Sequence, residues 1–346
     1  MRVCGAAVLA LAILAAVAAP LLAPHASDQS FRGLLNAPPT RPHLRGDDGA
    51  WHRPFIYRWT LVSQLEQRYE EDRSVRVPLV WLSGGHLVVS ADEARAPLLL
   101  LGTDSYGRDV FSRVLFGARI SLGLALVAVL GATLIGALVG GVAGYVGGPI
   151  DDGLMRASDV LMVLPAMYVV LALRSVLPLV LEPSTVFLLL ATIFAVVGAP
   201  FVARGVRAIV RAERGLDYAA AATALGAGHL RLLARHLLPA ARGFVAVEVT
   251  VLVPAFIVAE ATLSYVGLGF PDPMASWGTM LHDASNVRAF ADFPWLLAPA
   301  AAMFLIVLGV NLVLQGPAAF DSAQAREAGP HDMTATRTAV VRGVRL

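Results

Sequence analysis

Long apolar runs separated by shorter polar stretches form the main pattern of the chain. Six runs reach the roughly 20 residues that an α-helix needs to cross the hydrocarbon core of a bilayer. They cover about residues 1–24, 120–146, 159–181, 185–203, 244–266 and 295–314. This pattern predicts an all-α polytopic membrane protein with six transmembrane helices, and the even number of spans places both termini on one side.

The first run, residues 1–24, has two interpretations. The sequence Ala16-Val17-Ala18 resembles a signal-peptidase site, but an apolar length of roughly 20 residues exceeds the core of a signal peptide and favours an uncleaved anchor. Composition supports a membrane protein. The chain is 57% hydrophobic and 15% charged, with a mean hydropathy of +0.68, whereas soluble proteins are about 25% charged.

Charge and cysteine content exclude several classes of function. A net charge of +2 is too small to indicate a nucleic-acid partner. The single cysteine, Cys4, excludes an internal disulfide and a cysteine-based metal cluster. The eight histidines form no H-E-x-x-H motif. We therefore predict no catalytic residue, no metal site and no cofactor, which counts against an intramembrane enzyme.

A polar region at residues 25–118 follows the anchor and carries eleven Arg and eleven Asp or Glu. Short alternating segments, such as RVPLVWL and HLVVS, predict some strand content. Long loops cross the membrane regardless of their charge. We expect a small extracytoplasmic insertion here, with an amphipathic stretch at residues 104–118 before the second span.

Arginine in the short loops predicts the orientation. Residues 203–243 hold seven Arg against two acids, so this segment should be cytoplasmic, whereas residues 267–294 hold one Arg and three acids and should lie outside. The loop at 147–160 should then be cytoplasmic, although its net negative charge opposes that side. Both termini are predicted to be cytoplasmic, with a disordered tail at 315–346.

Two features within the spans are candidate contact sites. Glycines recur every four residues in the second span, which lets another helix approach closely, either within this chain or from a second membrane subunit. These glycines are Gly136, Gly140, Gly144 and Gly148. Arg174 either extends to the outer interface or lines a polar path suited to a substrate carboxylate. Glu260 raises the same question and is expected to face protein or a cavity rather than lipid, so Arg174 and Glu260 are both candidates for a substrate pathway.

The stretch LDYAAAATALGAGHLRLLARHLLPAA, residues 216–241, predicts a helical hairpin between two spans. Asp217 is a candidate N-cap, and the alanine-rich run after it has high helix propensity. Gly226 suits a left-handed position after the first helix. The segment HLRLLARHLL predicts a second amphipathic helix, and Pro239 marks the start of the next span. A smooth hairpin of this kind suits insertion into a groove of a partner.

This stretch resembles the cytoplasmic signature loop of ABC importer permeases, which reads Glu-Ala-Ala, three residues, Gly, nine residues, Ile, one residue, Leu-Pro. The positions that match are Ala221, Ala222, Gly226, Leu238 and Pro239. Ala220 replaces the signature glutamate, His236 stands at the isoleucine position, and Ala240 replaces the usual asparagine. The hairpin residues assigned to ATPase coupling are Asp217, Tyr218, Ala220, Ala221, Ala222, Gly226, Leu238 and Pro239.

Further segments resemble the dipeptide/oligopeptide/nickel type of these permeases, in the same order. They are LGTDSYGRDVFSRVLFGARISLG, DDGLMRASDVLMVLP, EATLSYVGLGFPDPMASWGTML and PWLLAPAAAMFLIVLGVNL. The resemblance covers about residues 100–314, and the family's usual ending after Leu312 is absent. It implies an inner-membrane permease core at 119–314, with five transmembrane helices and a cytoplasmic coupling loop at 204–242.

The resemblance also implies partners. They are a homologous second permease subunit, cytoplasmic ATP-binding subunits and an extracytoplasmic substrate-binding protein, all acting within membrane lipid. The chain has no G-x-x-x-x-G-K-[ST] phosphate loop, so separate subunits must bind ATP. A secondary transporter driven by an ion gradient is the alternative, but no inverted repeat supports it. Peptides, nickel complexes and other small solutes all fit this type of permease.

Overall fold

The computed structural model describes residues 1–46, 49–176, 181–285 and 291–314, and the side chains of residues 166, 173–176 and 314 lie outside that description. The helices are α1 (Arg2–Val17), α2 (Ala19–Leu22), α3 (Val110–Val146), α4 (Gly148–Val163), α5 (Ala166–Val176), α6 (Pro183–Arg214), α7 (Asp217–Ala224), α8 (His229–Leu232), α9 (Arg242–Tyr265), α10 (Trp277–Asp283) and α11 (Ala298–Leu314). The strands are β1 (His43–Arg45), β2 (Trp51–Ser63), β3 (Arg68–Ser83) and β4 (His86–Ser90). The described part of the chain is mostly helical.

Four helical stretches in the described ranges are long and apolar enough to span a bilayer. They are Val110–Val146, Pro183–Arg214, His229–Tyr265 and Pro294–Val313. The predicted first span forms the 16-residue helix α1, which is apolar but shorter than these four. Ala18 separates α1 from the short helix α2, which has Pro20 in its first turn.

The predicted third span, residues 159–181, is not one continuous helix. The loop expected at 147–160 is instead the helix α4, which ends at Val163, and Pro165 separates it from α5. A residue before proline is pushed out of the helical region because the proline ring clashes with its backbone. Leu164 accordingly has an extended ψ of 112°. Residues 177–180 of the predicted span lie outside the described residues.

The strands expected in the polar region form one antiparallel sheet in the order β1-β2-β3-β4. The long β2 and β3 pair along most of their length, from Phe55 opposite Pro78 to Ser63 opposite Arg68. A small separate core of Ile56, Val77, Ala96 and Leu98 holds one end of this sheet. The other end, around Leu65, extends away from that core, and the Leu65 side chain is almost fully exposed.

The glycine stripe of α3 packs against α6 of the same chain. A Cβ atom at Gly136 would lie 2.7 Å from the carbonyl oxygen of Ala199, and one at Gly144 would lie 2.6 Å from that of Arg207. Gly140 makes the same approach to the Ala203 carbonyl group. Only glycine permits backbones this close, since any side chain would overlap the neighbouring helix.

Gly148 does not belong to this packed stripe. It begins α4 with a φ of 62°, and no described atom lies within 4 Å of the position that its Cβ would take. The helical period predicted for the stripe ends because Gly147 and Gly148, both with positive φ, turn the chain away from α3.

Buried charges fix the start of α3 to the segment around α10. Arg108 lies 2.7 Å from Asp104, 2.6 Å from Asp283 and 3.1 Å from Asp272. Burial alone would disfavour the charge of Arg108, but the neighbouring carboxylates outweigh it and raise the pKa of this guanidinium. Asp109 caps α3 by accepting from the backbone N–H groups of Phe111 and Ser112, and burial raises its pKa to about 6.

Candidate functional site

The segment predicted as a hairpin forms two helical arms joined by a tight turn. The first arm, α7, ends in the hydrogen-bond pattern of a Schellman motif: Ala227 N–H donates to Ala222 O, and Gly226 N–H donates to Thr223 O. Gly226 takes the predicted left-handed conformation, with a φ of 86°. This turn reverses the chain and leads into the second arm at α8.

The start of the hairpin differs from the prediction. The N-cap of α7 is Leu216. Asp217 is the first residue of the helix, and no side-chain hydrogen bond caps the helix. Leu216 is extended, with a ψ of 153°, so the helix begins at Asp217, one residue earlier than it would if Asp217 were the N-cap. The Asp217 carboxylate still lies in the first turn, where the helix dipole favours a negative charge.

The second arm is helical but not one regular α-helix. The four-residue α8 continues into a π-helical turn at Leu233–Leu237 and a 3₁₀ turn at Leu238–Ala241, and α9 begins at Arg242. Pro239 lies in the 3₁₀ turn. Because proline lacks a backbone N–H, it interrupts the regular ladder of hydrogen bonds there. The change of hydrogen-bond spacing therefore separates the hairpin from the long helix that follows.

The second arm is anchored on α3 where that helix lacks a side chain. Leu237 is completely buried. Leu238 packs over Gly141, whose Cβ would lie 3.1 Å from the Leu238 Cδ2 atom. A larger residue at Gly141 would push this arm away from α3. The base of the hairpin is therefore set by the surface of the bundle.

The far end of the hairpin exposes apolar side chains. Leu225 and Leu230 are 90% and 80% exposed, on either side of the turn. Ala220 and Ala221 are exposed beside them on α7, whereas Ala219 is buried against the bundle. Exposed leucines next to small side chains form a surface suited to a protein partner, since burying them is favourable and alanines lose little entropy.

The first arm is tied back to the end of α6. The Tyr218 hydroxyl group donates to Glu213 Oε2 over 2.7 Å. This hydrogen bond stabilises the neutral phenol, and it raises the pKa of Tyr218 to about 12. The arm therefore has a side-chain contact with α6 in addition to the peptide connection between them.

The second arm is tied to the end of α3. Tyr145 Oη lies 2.6 Å from His229 Nδ1 at the start of α8. The Arg214 guanidinium lies over the ring of Tyr145, 5.2 Å from its centroid, and also donates to the Tyr145 carbonyl oxygen. Tyr145 thus connects α3, the end of α6 and the second arm of the hairpin.

Helix α4 is bound to α6 by ion pairs. Asp151, which is 2% exposed, accepts from both Arg207 and Arg211, with Arg207 Nη2 at 2.6 Å and Arg211 Nη1 at 3.2 Å. The hydrogen bonds from Arg207 lower the pKa of Asp151. The acids that opposed the predicted cytoplasmic side are therefore partly neutralised by arginines of the neighbouring helix.

Glu260, a candidate for the substrate pathway, is fully enclosed. Its side chain is 0% exposed, and its carboxylate oxygens accept from Ser121 Oγ at 2.8 Å and Ser264 Oγ at 2.7 Å. Ser121 Oγ also accepts from Trp277 N–H at 3.2 Å. This network joins α3, α9 and α10 and faces protein, as the sequence predicts. Arg174, the other candidate, lies on α5 with its side chain outside the described residues.

Sequence reasoning missed the charged and polar contacts between distant segments. Asp104 and Arg108 pair within the turn before α3, but nothing local indicates Asp272 or Asp283 as further partners. Tyr145 likewise stands 84 residues before His229 and belongs to no motif. The described residues contain no group of three His, Cys, Asp or Glu side chains arranged to hold a metal ion.

The fold defines a helical membrane protein with an exposed helical hairpin between two of its spans. The chain belongs to the family of binding-protein-dependent transport system inner membrane components, whose model matches residues 132–317. Members of this family are transport subunits rather than enzymes, and this chain is a permease subunit of such a system.

Two relatives indicate the branch of the family. The oligopeptide transport system permease protein OppC of Bacillus subtilis (strain 168) is 37% identical over 230 residues, which cover 66% of this chain and 73% of the relative. The dipeptide transport system permease protein DppC of the same organism is 39% identical over 215 residues, which cover 62% of this chain and 65% of the relative. The predicted resemblance to the dipeptide and oligopeptide permeases is confirmed.

Proposed function

We propose that this permease subunit forms half of the translocation pathway of an ATP-driven peptide importer and receives its ATPase on the hairpin at 217–240. The two relatives are named for oligopeptide and dipeptide transport, which supports peptides as the cargo. No observation favours the ion-driven alternative, and membership of a binding-protein-dependent family counts against it.

The observation that carries the coupling role is the hairpin surface. Leu225 and Leu230 stand out from the bundle with no described partner, at the end of a turn that the Schellman hydrogen bonds make rigid. Burying such leucines in a groove of an ATP-binding subunit is favourable by roughly 1.5–3 kcal/mol for each fully buried side chain. The alanines of α7 allow close approach without steric obstruction.

Contacts at the base of the hairpin support transmission of force. Tyr145 and Glu213 bind the two arms through side-chain hydrogen bonds, and Leu238 seats the second arm on α3. A push on the hairpin would therefore move α3 and α6 together. These two helices are joined along the glycine stripe, so the movement reaches the interior of the bundle.

The proposal includes a six-span topology with both termini in the cytoplasm. The helix α1 and the interrupted α4–α5 segment supply the two crossings beyond the four long spans. The seven arginines at 203–243 support a cytoplasmic hairpin, and the sheet and the substrate-binding protein are then on the other side of the membrane. A homologous permease subunit completes the pathway.

Leucine-to-aspartate variants at the hairpin test the coupling role. We expect Leu225→Asp and Leu230→Asp to reduce co-purification of the ATP-binding subunits with this chain and to lower peptide uptake, because a charge would be buried at the contact. The matched control is Leu65→Asp, since Leu65 is 97% exposed at the turn between β2 and β3. Equal co-purification in all three variants would contradict the coupling role.

A further inference from the structure

An apolar groove with one cation lies among α1, α3, α9 and α11. Its volume is about 510 Å³. Apolar side chains form most of its wall; they include Leu9, Ile13, Val17, Leu126, Val253 and Ile306. Thr250 also lines the groove, but its hydroxyl group already donates to Val247 O over 2.6 Å. The walls therefore provide contacts for hydrocarbon, and few of their polar groups need a hydrogen-bond partner.

Arg119 is the charged residue of this groove. Its side chain is exposed, and among the described residues it has no hydrogen-bond or ion-pair partner. Between Arg119 and Asp151 the chain contains no Asp, Glu, Lys or Arg, so Arg119 marks the point where the polar start of α3 gives way to its membrane-spanning part. An arginine at that depth lies at the level of the lipid headgroups.

The groove extends from Arg119 into the hydrocarbon region. On α3, Leu126 follows Arg119 by seven residues, which is about 10 Å along a helix. On the antiparallel α9, Val253 lies twelve residues before the end of the helix at Tyr265, or about 18 Å. The site thus has a cationic mouth at the membrane surface and an apolar interior beneath it, which is the chemical profile of a phospholipid.

We propose that this groove binds one phospholipid of the bilayer, with its phosphate on the Arg119 guanidinium and an acyl chain along α3 and α9. A guanidinium binds phosphate through paired N–H donors, and the apolar walls replace the acyl chain's contacts with neighbouring lipids. A helix of another subunit would need an acid at the same depth to pair with Arg119. A phospholipid already carries its phosphate at the level of Arg119, because the phosphate is part of the headgroup.

The test is retention of lipid by the assembled importer. The complex is reconstituted in nanodiscs of phosphatidylethanolamine and phosphatidylglycerol, and phospholipids that remain bound after release are counted by native mass spectrometry. Arg119→Gln removes the phosphate partner. Gly123→Leu adds a large side chain at a glycine that lines the groove, where a Cβ would be accommodated because its nearest neighbour, Phe187 Cε2, lies 4.0 Å away. We expect each variant to retain one phospholipid fewer than the wild-type complex.

Matched controls separate the site from general effects. Arg95→Gln removes an exposed arginine of the polar region, and Gly153→Leu adds a leucine at a glycine of α4 with open space around it. Both should retain the wild-type number of lipids. If Arg119→Gln does not assemble, Gly123→Leu decides the question alone.

Two results would overturn the proposal. One is equal lipid retention by the wild-type complex and the groove variants. The other is a cross-link from Leu126→Cys to the second permease subunit in the assembled complexes, which would mean that protein fills the groove. Neither result bears on the docking of the ATPase at the hairpin, so the two proposals can fail separately.

Discussion

Replacement of Glu260 by leucine is predicted to destabilise the helical bundle rather than alter a transport path. The substitution removes the acceptor of two serine hydroxyl groups, Ser121 and Ser264, in a site with no solvent access. A buried hydroxyl group left without a partner costs about 1–3 kcal/mol, so two such groups predict a loss of about 2–6 kcal/mol. Glu260→Gln retains one acceptor oxygen and should lose about half of that amount.

The assay is unfolding of the purified permease in mixed micelles, with helical content followed against increasing denaturing detergent. The matched control is Glu248→Leu, because Glu248 lies on the same helix, is half-buried and makes no hydrogen bond within the described residues. Its stability should change by less than about 1 kcal/mol. Wild-type stability of Glu260→Leu together with a loss of transport would refute this reasoning and return Glu260 to the substrate pathway.

Three further predictions test other contacts. Gly140→Leu should prevent stable packing of α3 on α6, whereas Gly153→Leu should leave thermal stability unchanged, as followed by loss of soluble protein on heating. Tyr145→Phe removes the hydrogen bond to His229, worth about 0.5–1.5 kcal/mol, and should lower the peptide transported per ATP hydrolysed without lowering expression. Because burial raises the pKa of Asp109 in the folded protein, its contribution to the free energy of unfolding is fully present below the unfolded pKa and is lost as pH rises to about 6. Asp109→Asn should remove this pH dependence, and unfolding measured between about pH 4 and 6 checks it.

Local pattern predicted the helical class and the hairpin because those features depend on neighbouring residues. The turn at Gly226 follows from a glycine after an alanine-rich helix, since only a residue without a side chain adopts that conformation readily. The glycine stripe likewise predicted a close helix contact but not its partner, because a period of four indicates a face without saying what covers it. Structure was needed to assign that face to α6.

The third predicted span was expected to be one continuous helix, because hydropathy does not reveal the local break within it. The third run is apolar enough in sequence, but Pro165 ends the helical geometry and α4 carries Asp151, Asp152, Arg156 and Asp159 on its polar part. Capping was also misjudged at Asp217, where Leu216 takes the extended conformation instead. In both places the extended backbone of one residue, Leu164 or Leu216, sets the helix boundary. Amino-acid composition does not predict which residue takes that conformation.

Long-range contacts were not predictable because each requires two segments to meet. The ion cluster around Arg108 joins residues 164 and 175 positions apart, and the contact of Tyr145 with His229 joins residues 84 positions apart. These side chains have no distinctive spacing in the sequence. Their role emerges only when the helices are packed.

Cross-linking from the hairpin tests the central claim most directly. In a Cys4→Ser background, which removes the free cysteine, a cysteine at Leu225 is labelled with a short photoactivatable cross-linker in membranes that contain the complete importer. The account predicts a product with an ATP-binding subunit from Leu225→Cys and none from Leu65→Cys. Labelling of Leu225→Cys by a membrane-impermeant thiol reagent added outside intact cells, with no ATPase product, would contradict it.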